Sequence, residues 1–324
     1  MTTQRNRGLY AFALSSILLS FPALSDTGSK LIATGGITSF EGSAGGGLTP
    51  WALIAGYASQ DEVAATANLQ NLSTGEYQLN SFGISVGAFD TFEVSLQKQS
   101  LDVSSGVVTN VFNALTGGPT PALIAPSTQI EQTVFGLKYK VFGDAVFSES
   151  AYLPQVAIGL QYKKNSSFDS SLSLFNASVP VPNAGVPALL GAKDDSGADV
   201  YVSATKVWLG AANGNNLLFN ATARYTKANT FGLLGFGSAT DDDYALEWAA
   251  SLAMFTGTNT IIGAEVRQQT DRLGGLAKAD TATDFFITYL PSKTWSVTGA
   301  IVDLGNLPFQ TSSTGFYLSI TANL

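Results

Sequence analysis

Ten charged side chains fall on the polar side of alternating segments in this chain: Glu62, Glu93, Lys138, Lys140, Lys163, Arg224, Glu247, Glu265, Arg267 and Asp284. Both signs occur, often on neighbouring segments. Arg224, Glu247, Glu265, Arg267 and Asp284 come from four consecutive segments and are placed to form one network. Charges gathered on one inner surface do one of two things. They set up a transverse field or a ligand-binding ring in a pore, or they pair as structural salt bridges inside a filled barrel. The pattern leaves both open. Lys206 has an ambiguous orientation and stays outside the set.

Other chemistry is removed by what the chain lacks. It has no histidine and no cysteine. That excludes Ser-His-Asp hydrolysis, imidazole metal ligation, histidine general-base catalysis, disulfides and thiolate metal sites. Carboxylates alone can still move protons, but no pair is singled out. No enzyme is expected, and no metal or cofactor. Gly42–Gly47 is glycine-rich, but no Lys-Ser or Lys-Thr follows it and a strand is expected next, so it reads as a tight loop rather than a phosphate cradle. Asp241-Asp242-Asp243 and Asp194-Asp195 match no calcium-loop spacing and read as solvated loops. The net charge of −8, or −10 without Arg5 and Arg7, rules out a generic nucleic-acid binder.

The element that positions the charges is a strand. In Leu246–Met254, the residues Leu246, Trp248, Ala250, Leu252 and Met254 share one face, because side chains alternate across a strand. The same alternation recurs in segments of roughly ten residues to the C-terminus, the spacing of a transmembrane barrel strand. The last segment carries Phe316, Leu318, Ile320, Ala322 and Leu324 on one side and Tyr317, Ser319, Thr321 and Asn323 on the other. Charged residues are 12% of the chain, against ~25% in soluble proteins, as suits a surface facing lipid. Met1–Ser25 reads as a cleaved secretory signal, with Arg5 and Arg7 before the short apolar run Gly8–Phe21 and small residues before Asp26. Ser170–Ala192 is uncharged, but Pro180, Pro182 and Pro187 break it, so insertion must use a closed barrel.

Fourteen strands are expected: 30–40, 48–58, 62–70, 77–88, 91–101, 129–142, 153–164, 199–209, 216–227, 244–255, 260–269, 282–290, 294–302 and 315–324. The connections alternate between tight ones (59–61, 90, 210–215, 257–259, 291–293, with 143–152 longer) and mostly long ones (102–128, 165–198, 228–243, 270–281, 303–314). Outer-membrane barrels have short periplasmic turns and long extracellular loops. Trp51, Tyr57, Phe89, Phe92, Tyr162, Tyr225, Trp295 and Tyr317 stand near strand ends and suit interfacial girdles. Val107–Leu115 has the pattern of a short helix. The apolar loop segments Ser170–Leu190 and Phe231–Phe236 must cover the mouth, pack inside or meet a partner.

Leu31–Thr38, Glu41–Gly47, Pro50–Tyr57, Gly159–Asn165, Ala204-Thr205-Lys206 and Phe231–Gly237 together resemble a Gram-negative secreted family catalogued only as a domain of unknown function. The resemblance covers nearly the whole chain after the signal. It implies an outer-membrane location and a barrel-like fold, and no substrate. The loops at Val107–Ser127 and Ser170–Leu190 are longer than is usual in that family.

The expected fold is therefore all-β: residues 26–324 as a single antiparallel transmembrane barrel of about fourteen strands. The expected function is passage or binding of small solutes, with a hydrophobic or amphipathic solute favoured by the apolar loops. The alternative is a surface-interaction or structural barrel with a blocked lumen. Expected partners are outer-membrane lipid and lipopolysaccharide, a small solute and the outer-membrane assembly machinery.

Overall fold

The computed structural model describes residues 30, 34–35, 37–75, 77–103, 128–147, 150, 152–168, 185–307 and 313–324. The signal segment 1–25 and the helical pattern at 107–115 lie outside them, as does most of the apolar stretch 170–190.

Twelve alternating segments close on themselves. They are β1 (Val63–Thr74), β2 (Tyr77–Ala88), β3 (Phe92–Val103), β4 (Thr128–Phe142), β5 (Gln155–Asn165), β7 (Ser196–Ala212), β8 (Asn215–Thr226), β10 (Ala245–Thr256), β11 (Thr260–Arg267), β12 (Ala282–Tyr289), β13 (Trp295–Asp303) and β14 (Thr314–Asn323). Each pairs antiparallel with its neighbours. β14 closes the barrel on β1 in the register Thr66↔Asn323 to Ser73↔Phe316, so the sheet has no free edge. Two short strands, β6 (Ala192–Asp194) and β9 (Phe236–Ser238), form a separate small sheet. A single turn of helix, α1 (Val186–Leu189), precedes β6.

The outer face is apolar. Leu246 is 69% exposed and Leu252 53%, while the intervening Ser251 is 2% exposed. Phe92, Leu96, Leu137, Ile158, Phe285 and Ile320 continue the exposed belt around the barrel. A closed barrel of an even number of antiparallel strands with such a belt is an outer-membrane barrel. The turns at 89–91, 213–214, 257–259 and 290–294 lie at the end where β1 begins and β14 finishes, which is the periplasmic end. The long connections lie at the other, apart from 143–154 between β4 and β5. Among the described residues no helix is long and apolar enough to cross a membrane.

Twelve strands close the barrel rather than fourteen. Segments 30–40 and 48–58 are not wall: residues 37–58 run through the lumen, buried on every side. A barrel of this size is too wide for wall side chains alone to fill, and its polar inner face needs partners. The N-terminal chain supplies them with backbone groups and small residues. The chain enters and leaves at the periplasmic end, where the Gly56 amide bonds the Gly35 carbonyl at 2.7 Å; a Cβ on Gly35 would meet Gly56 O at 1.9 Å.

The alternation also inverts near the outer end. There Asn71, Asn80 and Lys98 face outward, and Leu72, Leu79 and Leu101 face inward. Above the bilayer the outer surface meets water, so apolar residues gain burial only on the inside. Phe89, Phe92, Tyr162, Tyr225 and Trp295 stand exposed on the outer surface, whereas Trp51, Tyr57 and Tyr317 are buried in the interior. Glu62 precedes β1 and is exposed, bonding Ser59 instead of facing the lumen.

Candidate functional site

The inserted segment folds as a narrow double-back in the lumen. Ser39 N bonds Ser43 O at 2.8 Å, Phe40 N bonds Gly47 O at 3.0 Å, and Trp51 N bonds Ala44 O at 3.0 Å. The glycines make the approach to the wall feasible. Gly42 sits at φ +92°, and a Cβ on Gly46 would fall 2.0 Å from Glu265 Oε1.

The inward charges do not form one network; they fall into groups that grip this segment. Toward the periplasmic end Lys138 pairs with Glu93 at 3.1 Å, fully buried. Glu93 also accepts from the amides of Ala44 (3.1 Å) and Ala55 (2.9 Å), and Lys138 donates to the carbonyls of Ala44 (3.0 Å) and Leu53 (2.9 Å). Farther out, Glu41 meets three cations: Lys163 at 2.5 Å, Arg224 at 3.0 Å and Arg267 at 2.9 Å. Asp199 shares two of them, Lys163 at 2.7 Å and Arg224 at 2.8 Å. Glu265 accepts from Leu48 N (2.6 Å), Thr49 Oγ1 (2.5 Å) and Ser251 Oγ (2.6 Å), and Trp51 Nε1 donates to Ser251 at 2.9 Å. Ser251 is therefore a contact of the inserted segment, not a free lumenal position. Uncharged groups complete the grip: Gln155 donates to Ala52 O at 2.7 Å, and Ser203 and Thr222 donate to Pro50 O.

Besides Glu62, three expected residues stand apart from these groups. Lys140 bonds Asp90 at the periplasmic rim, where Lys30 also reaches Asp90 at 2.6 Å. Glu247 lies opposite Arg224 in the β8–β10 register, but it accepts from Thr270 N at 2.8 Å. Asp284 lies opposite Glu265 in the β11–β12 register. Lys206 is buried and donates to Ser150 O at 3.2 Å.

Two central acids, Glu41 and Asp199, were not in the sequence set. Glu41 sits in a glycine-rich stretch read as a connection. Its only signal is the demand for a counter-charge created by Lys163, Arg224 and Arg267. Asp199 shares the inward parity of Ser203 and Thr205 and was legible from that alone.

The apolar loop segment after β8 packs inside the mouth. Phe231, Leu233, Leu234 and Phe236 are buried, and Phe231 meets Phe40 of the inserted segment edge-on at 5.1 Å. The Arg267 guanidinium lies 4.7 Å from the Phe231 ring centre, a favourable cation–π distance. Between this loop, the tip of the inserted segment and the inverted wall of β1–β3 lies a narrow pocket with a cavity volume of about 50 Å³. Leu72, Leu79, Leu101, Val302 and Tyr317 line it from the wall, and Asp284 is the one carboxyl among the described lining residues.

Outside the lumen, Asp242 pairs with Lys193 and, at 3.0 Å, with Lys227, which also holds Asp194 at 2.6 Å. These bonds tie the β6–β9 sheet to the end of β8. Hydrogen bonds from Lys193 and Lys227 hold the Asp242 carboxyl below the usual aspartate range.

The barrel is similar to the outer membrane protein Omp33 of Acinetobacter baumannii, at 10% identity over 81% of this chain and 98% of that one, with a TM-score of 0.35. It is also similar to an outer membrane channel from Pseudomonas putida F1, at 10% identity over 86% and 97% of the two chains, TM-score 0.36. A third such structure is outer membrane phospholipase A from Escherichia coli, at 8% identity over 81% and 92%, TM-score 0.36. These likenesses are loose, and the barrel assignment stands on the strands and the apolar belt. No curated protein matches the chain in sequence. A family model matches residues 34–321, a span that takes in the inserted segment and almost all of the strand wall, and the chain belongs to that family, described as Protein of unknown function (DUF3034).

Proposed function

We propose that this outer-membrane barrel binds small solutes in the outer half of its lumen, and that the inserted segment governs their passage. The observation that carries the reading is the division of the lumen. Residues 37–58 fill it from the periplasmic end, and an apolar pocket remains above their tip. A solute entering from outside meets the pocket first and the segment second. The bonds holding the segment run from wall side chains to its backbone and to side chains such as Glu41, Thr49 and Trp51, so it can be released without unpairing the barrel ladder.

The test is conductance in planar bilayers of the unmodified protein and of Glu41→Gln. The variant keeps the shape of Glu41 but removes the charge facing Lys163, Arg224 and Arg267. The expected result is a nearly silent unmodified barrel and measurable openings in the variant.

A second reading, a surface-interaction or structural barrel, is favoured by the burial of the Glu93–Lys138 pair against the inserted segment. Silence in both proteins, with each barrel folded on a heat-modifiability gel, would select it.

A further inference from the structure

We propose that the apolar pocket is a binding site for a slender apolar molecule carrying one hydrogen-bond donor, an alkanol or a phenol, with Asp284 as the acceptor. This rests on the reading above, that the lumen takes small solutes, and names their class.

The lining sets the body of the ligand. Leu72, Leu79 and Leu101 come from strands whose inner face is polar nearer the periplasm, at Asn68, Ser85, Ser95 and Gln97, and Leu233 and Leu234 close the pocket from the loop. Pockets of this character take apolar bodies and orient them with a few placed polar groups.

Asp284 sets the head group. It is 7% exposed, it lines the pocket, and its Oδ1 has no hydrogen-bond partner among the described residues. Buried acceptors are almost always partnered. The contrast with Glu265, its neighbour across the β11–β12 pair, is direct. Glu265 is engaged by Leu48, Thr49 and Ser251, whereas Asp284, bonded to Glu265 through its carboxyl, keeps Oδ1 open to the pocket. The Tyr317 hydroxyl is also buried in this lining.

Charge excludes the commonest amphiphile. A fatty acid would bring a further carboxylate against the Asp284–Glu265 pair, and Arg267, which lies against Phe40 and Phe231 of the lining, is already bound to Glu41. Like charges at that distance in a dry site disfavour each other strongly. A neutral hydroxyl donates a hydrogen bond and adds no charge.

The experiment is equilibrium dialysis of the protein in lipid nanodiscs against labelled octan-1-ol, octane and octanoate, with empty nanodiscs subtracted. The expected result is one saturable octanol site, about tenfold or more tighter than for octane, as a hydrogen bond to a carboxylate implies. Octanoate should show no saturable site. Asp284→Leu should bring octanol and octane to equal affinity, and Leu101→Trp, which fills the pocket, should abolish both.

Equal binding of octanol and octane by the unmodified protein overturns the anchor. Saturable binding that survives Leu101→Trp overturns the location. If Asp284→Leu does not fold, the octanol-to-octane ratio in the unmodified protein decides the anchor alone. Saturable octanol binding to a barrel that never conducts keeps this site and removes passage; conduction without an octanol site removes this site and keeps passage.

Discussion

Through the membrane-embedded part of the lumen, Glu93, Lys138, Gln155, Ser251 and Glu265 bond the inserted segment through its backbone and side chains; near the outer mouth, Leu72, Leu79 and Leu101 face its tip across unfilled space. Both surfaces belong to one sheet and alternate with the same period. They differ in what the opposite face meets. Where the outer face meets lipid, apolar residues are drawn outward and polar ones are left inside needing partners, and the chain supplies a partner from its own N-terminus. Where the outer face meets water, polar residues go out, and the apolar residues left inside have no need of the segment's backbone. The polar wall grips; the apolar wall leaves room.

The largest expected effect is on the gripping side. Among the described residues, Glu41→Ala leaves Lys163 and Arg224 with Asp199 as their one carboxylate, and Arg267 with none. Losing one member of a buried ion cluster costs about 3–5 kcal/mol. The heat-modifiable gel shift of the barrel should therefore move to clearly lower temperature. An unchanged transition would mean that the segment is not held as described.

The two walls can then be set against each other. Ser251→Ala strands the Trp51 indole N–H and removes one donor from Glu265, a loss of about 1–3 kcal/mol, and it should raise proteolysis of the inserted segment from the periplasmic side. Leu79→Ala should cost about 2 kcal/mol, at the low end for such truncations because the side chain already borders empty space, and it should leave the segment protected. Equal protease sensitivity in the two variants would erase the distinction between the walls.

The smallest effect concerns the outer loops. The folded pKa of Asp242 is depressed, so its contribution is present at pH above the ordinary aspartate value of 3.8 and is lost as the pH falls through the lower folded value. Hydrogen exchange at β6 and β9 should therefore quicken under acid while the barrel strands stay protected. Uniform loss of protection would show that the loop sheet is not separately tied.

Much of this was legible in the sequence. Strand β2 is read over its full range, 77–88, and the other wall strands to within a few residues, because alternation is a local property and turn residues such as Asn213-Gly214 and Gly257 punctuate it. The even parity of the wall, the long loops at one end and the lipid face follow from the same pattern. The packing of Phe231–Phe236 inside the mouth was one of three fates open to it.

What the sequence could not decide is which alternating segment becomes wall. Residues 30–40 and 48–58 carry much the same signal as true strands, and only closure of the other twelve turned residues 37–58 into filling. Closure sets an interior too wide for its own side chains, and the first chain segment is tethered at the end where it can enter. The partners of Glu41 likewise lie 122, 183 and 226 residues away in the chain. Period and composition therefore determine the face of each strand, while the contents of the lumen depend on distances that exist only once the barrel has closed.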